Sequence, residues 1–212
     1  MIWVIGDSHV NLFSGNVHIN GLLYGDSADG LGQFKDSFKT IHMNPYTAYN
    51  AFSKISEIDN HLTLFNKDTD YLFFCFGEID CRCHLGFQAD IRNIEYNEVV
   101  SECISRYSQL LKHYKQQGYD VGVWGVVASG LDNGVQGNGA LSYKTATERN
   151  IITYYFNQHL ETHCEQLNVR YKSIFEHLQY NFETIPTYHY DNIHIMCNKT
   201  AQLIIAAFSD IL

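Results

Sequence analysis

A serine hydroxyl becomes a useful nucleophile only when a base takes its proton, and that base is usually a histidine oriented by a carboxylate. Two stretches of this 212-residue chain carry those residue types. Near the start, Ser8 follows Ile2-Trp3-Val4-Ile5 and the breaker pair Gly6-Asp7. That pattern is a short buried strand running into a tight turn, and open α/β sheets place their sites at the carboxyl ends of strands. Near the other end, Asp191-Asn192-Ile193-His194 sets an acid and an imidazole three residues apart. In a turn ahead of a helix, both can face one point.

The elements that must position these residues follow from hydrophobic pattern. Five strands are expected: the opening run, 38–43, 71–76, 119–127 and 168–175, of which Tyr71-Leu72-Phe73-Phe74-Cys75-Phe76 is apolar throughout and so buried on both faces. Helices are expected over 47–58, 97–117, 145–167 and 198–212, each with apolar residues at helical spacing. Residues 10–37 and 128–141 are rich in Gly, Asn, Asp and Ser and are expected to be loops. Residues 177–190 form a His- and Tyr-rich loop that delivers Asp191 and His194. Strand and helix alternate throughout, which implies a parallel sheet covered by helices on both faces. No repeat, low-complexity run or linker interrupts the chain, so a single domain over 1–212 is expected.

Gly6-Asp7-Ser8-His9 together with Asp191-x-x-His194 resembles the SGNH (GDSL-like) hydrolase family, and the resemblance spans the chain end to end. It implies a three-layer α/β/α sandwich, flavodoxin-like, around a five-stranded parallel sheet. It also implies a serine esterase that needs no cofactor, with Ser8 as nucleophile, His194 as base and Asp191 as orienting acid. The implied substrate is a small-molecule or carbohydrate ester, including an O-acetyl group on a sugar. His9 and His189 look like bystanders: His9 is expected to point elsewhere along the turn, and His189 lacks the spacing.

Acyl transfer also needs donors aimed at the oxygen that becomes negative. The family takes these from the serine amide, a glycine amide after the second strand, and an Asn side chain in a GxND motif after the third. Here the Ser8 amide is retained. Asn44 stands at the second position and can still offer an amide. At the third, Gly77-Glu78-Ile79-Asp80 puts Ile79 where the family has Asn. Two readings of the neighbouring charges stay open. Arg82, with five donors and a permanent charge, supplies what is missing; or Glu78 and Asp80 pair with Arg82 in an ion network that only holds the loop. The variation resembles a subgroup of SGNH-like proteins with GEIDCR in place of GxND, several of them associated with surface-polysaccharide synthesis. Two alternatives to hydrolysis remain: an acyltransferase using the same triad, or a non-catalytic carbohydrate- or partner-binding module.

Composition narrows the partners. Hydrophobic residues make up 45% and charged residues 17%, as in globular chains rather than disordered ones. The 15 Tyr and 13 Phe fit core packing better than a sugar-stacking groove. A net charge of −9 argues against nucleic acid or an anionic membrane as partner. No apolar run approaches the roughly 20 residues of a membrane helix, and no leader precedes the first strand, so a cytoplasmic protein is expected. The six cysteines form no CxxC pair and are expected to be reduced. Cys81-x-Cys83-His84 has no second pair to complete a zinc site, so no metal is expected.

Overall fold

β1 (Ile2–Gly6) lies at the centre of a six-stranded sheet, flanked by β3 (Phe38–His42) and β4 (Tyr71–Cys75), both parallel to it. β5 (Asp120–Trp124) and β6 (Arg170–Lys172) extend the sheet in parallel beyond β4. The expected five-stranded parallel sheet is therefore present, with one addition. β2 (Ser27–Asp29) pairs antiparallel with β3 and closes that edge, giving the order β2-β3-β1-β4-β5-β6. The computed structural model describes residues 1–15, 25, 27–132 and 142–212. Most of the expected loop at 128–141, and part of the 10–37 segment, lie outside the described residues.

Alternation along the strands divides the core in two. Trp3 and Ile5 of β1 and Leu72 and Phe74 of β4 point to one face, Ile2 and Val4 and Phe73 and Cys75 to the other. The first face is covered by α1 (Ile55–His61), α3 (Tyr96–Gln116) and α4 (Ala146–Leu167). The second is covered by the 3₁₀ turn Ser8–Phe13 and by α5 (Cys197–Ala207), where Phe13, Phe38, Phe73, Trp124 and Phe208 pack ring against ring at 4.9–5.9 Å. These ring contacts, edge-to-face for the most part with Trp124 stacked on Phe208, explain where much of the aromatic content goes.

Three segments differ from expectation. Residues 47–58 were expected as one helix; Ala48–Lys54 is instead 3₁₀ and only then becomes α1. The expected loop after β4 is helical from Glu78, passes through a wide turn over Asp80–His84, and continues as α2 (Leu85–Arg92). The 177–190 loop contains the two-residue strands β7 (Gln179–Tyr180) and β8 (Glu183–Thr184), paired as a hairpin. Among the described residues no helix is long and apolar enough to cross a membrane.

Candidate active site

β1 ends at Gly6, and the chain turns at once. The Asp7 amide donates to the Cys75 carbonyl of the neighbouring strand at 3.1 Å. Asp7 then caps the turn Ser8–Phe13, its Oδ1 accepting from the His9 amide at 2.9 Å. Asp7, not Ser8, is the capping residue, so the Ser8 hydroxyl is left for other work. It donates to His194 Nε2 at 2.8 Å, across 186 residues of sequence.

The histidine is delivered by a turn that one carboxylate shapes. Asp191 Oδ1 accepts from the Ile193 and His194 amides at 2.7 and 2.6 Å, the geometry by which an aspartate closes its own turn. Its Oδ2 faces His194 Nδ1 at 2.9 Å. A proton held on Nδ1 by the carboxylate leaves Nε2 as the acceptor that Ser8 needs. Burial alone would raise the Asp191 carboxyl; the hydrogen bonds from the His194 ring and amide, the charge of that ring and the Ile193 amide outweigh it and hold the acid below the usual carboxylate range. It therefore stays ionised when the imidazole must carry a proton.

The other residues singled out from sequence are divided. Glu78 and Arg82 meet: Arg82 Nε donates to Glu78 Oε1 at 2.6 Å and Nη2 to Oε2 at 3.2 Å, one helical turn apart and both buried. Asp80 does not join them, which corrects the expected pairing. It faces the opposite way and accepts from the Ala48 and Tyr49 amides at 2.6 and 3.3 Å, tying the start of the 3₁₀ segment to the end of β4. Burial raises its pKa to about 7, against the two amide bonds. An acid that keeps its proton longer folded than unfolded lowers stability as pH rises. Urea midpoints are accordingly expected to fall between pH 4 and 7 in the wild type, and this slope is expected to flatten in Asp80→Asn. Gly77 leaves β4 at φ +122°, with the Phe156 ring where a side chain would stand, 2.6 Å from an added Cβ. The Asn44 amide group donates to Tyr46 Oη at 3.1 Å, and Tyr46 in turn to Glu57 at 2.7 Å, so that side chain is already engaged.

Two groups at the site were not anticipated. The His9 ring does not point away; it packs 5.3 Å from the His194 ring, tilted by 33°. Second, the segment after β5 presses against the Asp191–His194 turn, Gly130 lying against the Asn192 carbonyl. Arg149, buried on α4, donates to Ser129 Oγ at 2.6 Å and the Gly130 carbonyl at 2.7 Å, and pairs with Asp132 at 3.0 Å. Asn150 accepts from the Ser129 amide and donates to Thr184, each at 2.8 Å. Adjacent Arg and Asn on the buried face of α4 are the sequence signal for this network, since such groups are buried only with partners. A depression of about 560 Å³ between Lys67, Lys115, Tyr119 and Arg170 opens at the amino ends of β5 and β6, opposite the site.

No family model matches this chain, and no curated protein matches it. Solved structures do. An acetyl xylan esterase is 11% identical with a TM-score of 0.57, and all of both chains is covered. A GDSL-like lipase from Bacteroides thetaiotaomicron is 10% identical over 99% of this chain and 85% of its own, TM-score 0.58. Axe2, an acetylxylan esterase from Geobacillus stearothermophilus, is 12% identical over 99% and 93%, TM-score 0.56. With the strand order above, these likenesses establish that the chain has the fold of the SGNH (GDSL-like) hydrolases.

Proposed function

We propose that this chain is a serine esterase of the SGNH type, acting on a small acyl ester and, within that class, on an O-acetylated carbohydrate. The unbroken Ser8–His194–Asp191 chain of hydrogen bonds at 2.8 and 2.9 Å carries the reading. Ser8 Oγ attacks the ester carbonyl while its proton passes to His194 Nε2. The tetrahedral intermediate collapses, and the leaving alkoxide takes that proton. Water then attacks the acyl-enzyme, gives a proton to His194, and the acid departs as Ser8 recovers its hydrogen. Asp191 keeps the imidazole oriented and balances its charge.

Ser8 opens the 3₁₀ turn, and the first amides of a helical turn have no partner within it. The Ser8 backbone amide is the first oxyanion donor, and the Asn44 backbone amide is the second. The Arg82 guanidinium, gripped by Glu78, contributes field rather than a freely aimed donor. The carbohydrate part rests on the likeness in fold to two acetylxylan esterases. The substitution of Ile79 for the expected Asn favours a second reading, a binding module without turnover.

The test is labelling of the folded wild type with a fluorophosphonate, alongside acetate release from acetylated xylo-oligosaccharides. Labelling with acetate release is the expected result. Labelling without release keeps the activated serine and redirects the substrate. A folded protein that takes no label favours the binding module. Adding an unacetylated sugar and analysing products separates hydrolysis from transfer, which share one acyl-enzyme.

A further inference from the structure

His9 has a part in this site. Its ring is 4% exposed and is held at both nitrogens. Nδ1 faces Asp7 Oδ1 at 3.1 Å, and Nε2 faces the Ile193 carbonyl at 3.3 Å. Both partners are acceptors only. A neutral imidazole has one N–H and one lone pair, so it would turn a lone pair on one of them. The doubly protonated ring satisfies both.

The carbonyl it reaches belongs to the peptide that joins Ile193 to His194. The other end of that same peptide, the His194 amide, donates to Asp191 Oδ1 at 2.6 Å. One peptide plane is thus gripped at its oxygen by His9 and at its nitrogen by Asp191, and it sets the direction in which the His194 side chain leaves the backbone. We propose that His9, as an imidazolium paired with Asp7, is a positioning residue that clamps the Ile193–His194 peptide and so fixes the His194 imidazole over Ser8. The proposal rests on the esterase reading for its kinetic consequences, but not for its structural ones.

The charges around His9 support it. Asp7 lies on its own turn; Glu78 and Cys75 approach from the end of β4; His189 and His194 come from the catalytic turn. Burial works against a charged ring, but the hydrogen bond and charge of Asp7, the charge of Glu78 and the Ile193 carbonyl outweigh it and hold His9 at about 9. Burial lowers His189, which therefore adds no positive charge at neutral pH. For a base whose folded value exceeds its unfolded one, the stabilisation is complete below the unfolded value of 6.5 and is lost as pH rises through about 9. The clamp should fail over the same range, because a ring that keeps its proton toward Asp7 then presents a lone pair to the Ile193 oxygen.

The experiment has one readout without turnover and one with it. In ¹⁵N-labelled wild type at pH 7.5, both ring nitrogens of His9 are expected to carry protons; a single protonated nitrogen overturns the proposal. His9→Leu is expected to speed hydrogen exchange of the His194 amide and to lower kcat on p-nitrophenyl acetate about 10- to 100-fold at near-constant KM. His9→Gln, whose side-chain amide can still donate toward Ile193, should recover most of kcat. Wild-type kcat should fall as pH rises through about 9, and His9→Gln should lack that fall. Wild-type kcat and His194 protection in folded His9→Leu overturn the proposal, and so do superimposable alkaline limbs. If His9→Leu does not fold, the nitrogen spectrum and the Gln profile still decide. A wild type that turns over no ester defeats the esterase reading, while ring protonation and amide exchange still judge His9.

Discussion

Ser8→Ala is expected to abolish fluorophosphonate labelling and to lower ester turnover by about 10⁴-fold or more, with the urea midpoint close to wild type. The size follows from the proposed role: without Oγ no acyl-enzyme can form, and only the proposed oxyanion donors and binding contacts remain. The unchanged stability follows from the local structure. A serine after a tight turn could serve instead as a helix cap, and its loss would then cost about 1 kcal/mol. Here the cap is Asp7, and what Ser8 gives the turn is its carbonyl, which accepts from Asn11 Nδ2 at 2.9 Å and survives the substitution. The hydroxyl's partner is His194. His194→Ala should be as severe, and the double variant no worse than either single one, because residues acting as a unit do not add. Turnover retained in folded Ser8→Ala would remove the mechanism altogether.

What the sequence made legible is what short-range pattern controls. The run at 71–76 had to be a central strand, because a continuous apolar stretch is stable only when covered on both sides, and β4 pairs with β1 and β5. Asp191 and His194 could be read because an acid three residues before a histidine shapes the turn and grips the ring in one motif. β2 could not be read: Ser27-Ala28-Asp29 has no β-forming pattern and is held by backbone pairing to β3 at the sheet edge. The helix after β4 was hidden for a related reason. Glu78, Asp80 and Arg82 look like a polar loop, but each is buried with its own partner, so the usual equation of charge with exposure fails there. The direction of the His9 ring could not be read, because a tight turn after β1 does not fix by itself how its residues are wound. In a 3₁₀ turn two residues advance the chain by about 240°, which folds the ring back onto Asp7 and beside His194. Gly130 gave no signal at all, because what makes it necessary is a backbone 62 residues away.

Gly130→Ala is expected to lower kcat by about 100-fold or more while the far-ultraviolet circular dichroism stays that of the wild type. A Cβ at this position would fall on the Asn192 carbonyl and close to the Ile193 nitrogen, inside the turn between Asp191 and His194. Those are backbone atoms, so no side chain can swing aside, and one of the two segments must move. On the Gly130 side, Ser129 is held by Asn150 and by Thr184, whose hydroxyl donates to the Ser129 carbonyl at 2.7 Å, and Gly130 itself by Arg149. Those anchors are buried on α4 and on the hairpin, and breaking them strands polar groups away from water, at roughly 1–3 kcal/mol for each. On the other side the turn is shallower: the Asp191 side chain is 44% exposed, and its carboxylate bonds can reform after a small shift. The turn should therefore give way, carrying His194 from its 2.8 Å contact with Ser8. Labelling by the fluorophosphonate should slow in proportion to kcat, because both need Ser8 activated by His194. Equal labelling rates in Gly130→Ala and wild type would mean that the β5–α4 segment yields instead, and that it does not set the height of His194 over Ser8.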